Sequence, residues 1–248
     1  MDVRDTDEYK GATFLRSDLS GATFRDCDFT GVRVVSTEID DVVVNGFAGR
    51  LGPIVVNDID VTAYVQGQLD DRHPERVQLR AMTTAADYRA MWVTVEGLWS
   101  GLLARAEALT EEQRQTRVDG EWSFAETVRH LSFALDTWIV NMIQGQDNPW
   151  HSIGRPPTDY GDANAIDIGI DVAARPTLAE ALPVYQERRS LMSQVVASVT
   201  DDELAEMRER APAPAWGVEP HSVGQCLRIV LNEHCQHYRF ARRDLDRL

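Results

Sequence analysis

The chain has 248 residues, of which 43% are hydrophobic and 26% charged, with a formal net charge of −15. This globular composition excludes wholesale disorder, and the acidic balance disfavours nucleic-acid phosphates and anionic membranes as partners. No apolar run reaches the ~18 residues that cross a bilayer. The acidic N-terminus has no leader-like apolar stretch, and three cysteines suit no disulfide framework, so a cytoplasmic protein is expected.

Residues 1–65 carry a period that belongs to neither a helix nor a flat strand. Phe14, Leu19, Phe24, Phe29, Val34, Ile39 and Val44 fall five apart. Ala12, Ser17, Ala22, Cys27, Val32, Thr37 and Val42 precede them by two, and most are small. A chain turning a corner every five residues has this pattern, with the large residue filling the coil and the small one beside it. The phase lapses at 46–49 and returns at Ile54 and Ile59. The segment resembles the pentapeptide-repeat family, which implies a right-handed quadrilateral β-helix. Seven repeats make under two coils, so a short β-cap leaning on another domain is expected. Cys27 sits at a small-residue slot and is expected to be packing.

Residues 66–83 read as a polar connector broken at Pro74, with His73 on its solvated surface. From residue 84 the reading is helical. Five capping boxes punctuate it: Thr110 with Gln113, Ser123 with Glu126, Thr177 with Glu180, Thr200 with Glu203, and Ser222 with Gln225. In each, the hydroxyl accepts an otherwise unpaired N–H and the acid or amide reaches back. Long helices are predicted at about 84–108, 123–144, 177–199 and 222–246, with a short one from Thr200 and a kink at Pro183. The first carries Tyr88, Trp92, Val95, Trp99 and Leu102 on one stripe. The second carries Phe124, Val128, Leu131, Leu135, Trp138 and Met142. A Gly- and Pro-rich loop at 145–176 separates the second helix from the third. The fold class is therefore α+β: a four-helix bundle over 84–248 behind a small β segment.

Chemistry points to the histidines. His130 lies on the second helix, and the last carries Glu233-His234-Cys235-Gln236-His237. Glu233 and His237, four apart, project from one face. His234 and His237, three apart, also share one. Two ligands from one helix and one from a neighbour hold a divalent transition metal, and imidazole with carboxylate suits Zn, Ni or Fe. Three protein ligands leave open positions, as in catalytic sites. Phase angles alone set His234 near the centre of the stripe of Val223, Leu227, Val230, Ala241 and Leu245, and mildly favour it over Glu233. His151 and His221 are expected to be exposed, and Cys226 buried.

The runs Trp122–Leu131 and Leu231–Leu245 resemble the DinB-like superfamily, which includes mycothiol-dependent maleylpyruvate isomerases and bacterial thiol S-transferases. The resemblance spans about 84–248 and implies a four-helix bundle with a metal held by His130, Glu233 and His237. His234 departs from the pattern as a competing ligand, and Cys235 as a neighbouring thiol. It further implies a metal-activated low-molecular-weight thiol such as mycothiol, attacking a small electrophile in a bundle mouth lined by loop 145–176 with Trp150 and Tyr160. Asp136 is the candidate partner for a ligand imidazole.

The expected partners are a small-molecule thiol and an electrophile, without nucleic acid or membrane, with homodimerisation left open. Two other readings compete. An acidic repeat rod imitates DNA, yet here the acidic excess is spread along the whole chain and the rod is short. A non-catalytic scaffold that uses the β-cap is the third reading.

Overall fold

The computed structural model describes residues 3, 6–25, 27–44 and 52–248. The chain divides into two compact units, residues 1–47 and 48–248. The lapse in the repeat at 46–49 lies outside the described residues.

In the first unit the five-residue period is written into the backbone. Positive φ recurs at Gly11, Arg16, Gly21, Gly31, Ser36 and Asp41. Tight turns accompany it: Ala22 N donates to Leu19 O at 3.0 Å and Val32 N to Phe29 O at 3.0 Å. Asp18 and Asp28 accept from the amides of Ser20 and Thr30 at 2.9 and 2.8 Å. No described residue of this unit lies in a strand, so the expected β-cap appears as turns without a strand ladder. The repeated apolar residues are not enclosed: Phe14 is 56% and Val44 73% exposed. A solenoid coil buries its interior against neighbouring coils, and under two coils leaves most of it uncovered. Cys27 is exposed rather than packed.

The second unit opens with a hairpin, β1 (Val55–Val56) and β2 (Ile59–Asp60), which turns at Asn57 and Asp58 with positive φ. The stretch expected as a connector is largely helical: α1 (Thr62–Arg72) and α2 (Glu75–Ala81). Buried Arg76 ties them by donating to Asp70 at 3.0 Å and to Gln66 at 2.5 Å. His73 is half-buried, with Nδ1 3.3 Å from a Glu75 oxygen. Burial, with nearby Arg239, pushes its pKa down.

The rest is α3 (Ala85–Glu107), α4 (Glu111–Gln115), α5 (Phe124–Leu135), α6 (Asp162–Asp167), α7 (Leu178–Ser198), α8 (Asp201–Leu204), the antiparallel pair β3 (Met207–Arg210) and β4 (Glu219–Ser222), and α9 (Val223–Leu245). All five expected capping boxes form, and a sixth joins Thr84 and Asp87 at the start of α3. α7 runs unbroken through Pro183. Among the described residues no helix is long and apolar enough to cross a membrane.

The four long helices form the bundle. α3 packs on α7 and α9, and α5 packs on α7 and α9. The predicted stripe Tyr88, Trp92, Val95, Trp99 and Leu102 is buried in the core. The second stripe departs at Trp138, which is half-buried against His221, while Ile139 is fully enclosed. The cause is a π-helical stretch, Asp136–Ile143, that continues α5. Its wider turn changes the angle per residue, so Ile139 and Val140 also turn inward, while Met142 on the predicted stripe stays fully buried.

Every residue of α5 is buried. Its outer side is covered by the 145–176 loop, which builds its own small core from Phe133, Trp150, Tyr160, Ala165, Ile168 and Ile170. Trp150 Nε1 donates to Thr137 Oγ1 at 3.0 Å. Trp150 and Tyr160 are therefore packed inside this loop and do not line an open mouth.

Candidate metal centre

The site forms where α5 and α9 lie side by side. Capping at Ser123 starts α5, with Glu126 N donating to Ser123 Oγ at 3.3 Å and Ser123 N to Glu126 Oε2 at 3.0 Å. That start places His130 two turns in. On α9 the four-residue spacing puts Glu233 and His237 on one side. His130 Nε2 lies 3.2 Å from Glu233 Oε2, and His237 Nε2 lies 3.4 Å from the same oxygen. One donor atom from each residue falls within 4.8 Å of the other two. Bonds of about 2.0–2.2 Å at tetrahedral angles space donor atoms roughly 3.3–3.6 Å apart, so the set suits a first-row divalent ion. The His130 side chain is 7% exposed, His237 16% and Glu233 31%. The group is thus anchored on the α5 side and open near Glu233.

The hydrogen bonding of His130 supports the fit. Its Nδ1 lies 3.0 Å from the carbonyl oxygen of Arg155. A carbonyl only accepts, so Nδ1 carries the proton, and a neutral ring then turns the Nε2 lone pair toward Glu233. A lone pair and a carboxylate oxygen at 3.2 Å call for a cation between them, either a proton or a metal. Burial pushes the Glu233 carboxyl up, but hydrogen bonds and charge from His130 and His237 outweigh it, so Glu233 is held well below the usual carboxylate range. Burial pushes His237 down and favours the neutral ring that a metal needs.

His234 goes elsewhere. It is fully buried, with Nδ1 donating to Val230 O at 2.8 Å, and its ring lies among Trp92, Trp99 and Tyr185. Burial pushes its pKa down to about 3. The phase argument placed His234 correctly toward the apolar core, and that placement removes it from the site. Cys226 and Cys235 are buried, and burial raises both thiols to about 12, which leaves them unreactive. Asp136 does not support a ligand imidazole. It is fully buried, pairs with Arg188, and accepts from His151 N at 3.0 Å. His151 and His221, expected to be exposed, are half-buried.

Residues 94–241 match the family model of the DinB superfamily. The chain belongs to the DinB superfamily. No curated protein matches it, and no solved structure does. Within this DinB-superfamily bundle, two site residues escaped the sequence reading. Trp122, just before the α5 cap, stacks on His237 with 6° between ring planes and 5.7 Å between centroids, and its centroid lies 4.7 Å from that of His130. Its adjacency to a capping Ser followed by a helical His was the available signal. Arg155 contributes its backbone carbonyl, which no side-chain pattern announces.

The 151–155 segment is stitched to α5 beside His130. Arg129 Nε donates to Ile153 O at 2.7 Å, and Arg155 N to Arg129 O at 3.3 Å. Gly154 permits the tight turn of this segment, since a Cβ there would stand 3.0 Å from His151 O. The long loop is therefore a structural part of the site.

Proposed function

We propose that this protein is a metal-dependent thiol S-transferase or isomerase acting on small electrophiles, with a low-molecular-weight thiol as cofactor. His130, Glu233 and His237 would hold the divalent metal. The observation that carries the reading is the convergence of two imidazole nitrogens on one carboxylate oxygen, at 3.2 and 3.4 Å, in a chain of DinB-superfamily membership. A divalent ion bound there acts as a Lewis acid that lowers the pKa of a coordinated thiol toward neutrality.

The chain's own residues supply the rest. The Arg155 carbonyl holds His130 in the tautomer whose Nε2 is free to ligate. Glu233 stays ionised and balances one positive charge. Trp122 covers the two imidazoles from one side, while the partly exposed carboxylate leaves the approach for thiol and electrophile. Low-molecular-weight thiols are kept reduced in the cytoplasm, which is where this reading places the protein. Residues 1–47 are read as a pentapeptide-repeat segment that accompanies the bundle.

Purified protein tests the reading by elemental analysis beside His130→Ala and His237→Ala. Metal in the native protein and its loss from both variants supports the site, and unchanged content refutes it. Consumption of free thiol with mycothiol and a generic electrophile then separates enzyme from binder. The apolar residues exposed on the first unit favour a second reading, in which that unit is an interaction surface. Turnover-independent self-association or partner capture that is lost on deleting residues 1–47 would distinguish it.

A further inference from the structure

Arg155 has a second tie to the centre through its side chain. Its guanidinium carbon lies 5.1 Å from the Trp122 ring centroid, and Trp122 in turn contacts both imidazoles. The cation is therefore one aromatic ring removed from the metal ligands. Its charge is poorly matched. Among the described residues, its sole ion pair is NH1 to Glu126 Oε1 at 3.3 Å. That carboxylate is already held by Arg117, Nε to Oε2 at 2.8 Å and NH2 to Oε1 at 2.5 Å. Among the described residues the Arg155 guanidinium donates no hydrogen bond that meets ordinary geometry, and its Nε is enclosed without an acceptor. Enclosed arginine donors normally find acceptors, and the planar fork matches a carboxylate with two parallel bonds. The Arg155 side chain is nevertheless 21% exposed, so a small molecule can reach it.

We propose that Arg155 recognises a carboxylate on the small molecule that enters the metal centre, so that the preferred thiol carries an anionic group several bonds from its sulfur. The proposal rests on the metal–thiol reading above and names its substrate class. The sulfur end faces the His130, Glu233 and His237 group, the intervening chain lies along the Trp122 ring, and the carboxylate pairs with the guanidinium. Arg155 then has two separate duties: its carbonyl fixes His130, and its side chain selects the ligand.

The test uses the full chain loaded with Co²⁺ and reads the thiolate-to-cobalt absorption as a binding signal. The probes are 6-mercaptohexanoate and 6-mercaptohexanamide, which differ only in the charged end, with the acid too far from sulfur to chelate the same ion. The acid is expected to bind at least about tenfold more tightly, with the preference shrinking as salt is raised. In Arg155→Gln the preference collapses toward one, and Arg155→Lys retains part of it. Equal affinities in the native protein overturn the proposal while leaving the metal–thiol reading in place. A preference that persists undiminished in Arg155→Gln also overturns it. If neither thiol produces the absorption, the metal–thiol reading fails and this one with it. Should Arg155→Gln not fold, the native comparison, its salt dependence and Arg155→Lys still decide the matter.

Discussion

The indole of Trp122 and the imidazole of His237 lie parallel, with 6° between their planes and 5.7 Å between centroids. This pairing makes Trp122 a reporter of the centre. Titration with Co²⁺ or Ni²⁺ is expected to quench tryptophan fluorescence, and Trp122→Phe is expected to remove most of the quench while metal stoichiometry is kept. A quench of full size in Trp122→Phe would place the metal elsewhere.

Removing a ligand is expected to act far more strongly than disturbing its surroundings. His130→Ala and His237→Ala should each weaken metal binding by about 100-fold or more, while Gly154→Ala, acting only through the Arg155 carbonyl, should cost about 10-fold. Competition with a chromogenic chelator measures all three. His234→Gln is expected to leave metal affinity unchanged, because its ring is enclosed among Trp92, Trp99 and Tyr185.

His234 is instead a lever on stability. Its folded pKa of about 3 lies below the usual imidazole value of 6.5. The unfolded chain therefore binds the extra proton first, and stability falls as pH drops from about 6.5 toward 3. The loss is of the order of several kcal/mol for a fully buried ring. Urea denaturation from pH 7 to 4 should show this slope, and His234→Phe should flatten it. An unchanged slope would assign the acid sensitivity to other groups.

Asp136 and Arg188 supply a control away from the metal. Asp136 is fully enclosed, pairs with Arg188 and accepts from His151 N at 3.0 Å. Asp136→Ala leaves the largely buried Arg188 guanidinium with only the exposed Glu187 carboxylate, at 3.0 Å, and should cost about 3 kcal/mol in chemical denaturation. Metal affinity per folded molecule should stay nearly constant, since no ligand imidazole contacts Asp136.

The bundle was readable because its signals are local. A hydroxyl followed three residues later by Glu or Gln marks a helix start wherever it occurs, and all five such boxes form. The sixth, at Thr84, uses Asp87 and so escaped that pattern. The phase of α5 held except at Trp138, which lies in a π-helical stretch that alters the angle per residue, and Met142 beyond it is again fully buried. At α9, apolar phase identified the residue facing the core, His234. Glu233 and His237 sit on the flank where α5 and α9 adjoin, and a single-helix projection carries no information about neighbours. The packing of Trp150 and Tyr160 depends on contacts with Phe133 and Ile170 that no local pattern encodes. In the first unit the five-residue period did appear in the turns at Gly11, Arg16 and Gly21, but periodicity says nothing about how much a coil encloses.

His130 and Glu233 meet across a separation of 103 residues. The contact exists only once α9 has closed against α5, so ion capture has to follow synthesis of α9. A bound ion would then fasten α9 to one of the most enclosed helices of the bundle. Fraying of α9 would meet its main resistance at that clasp, and chelation would loosen it.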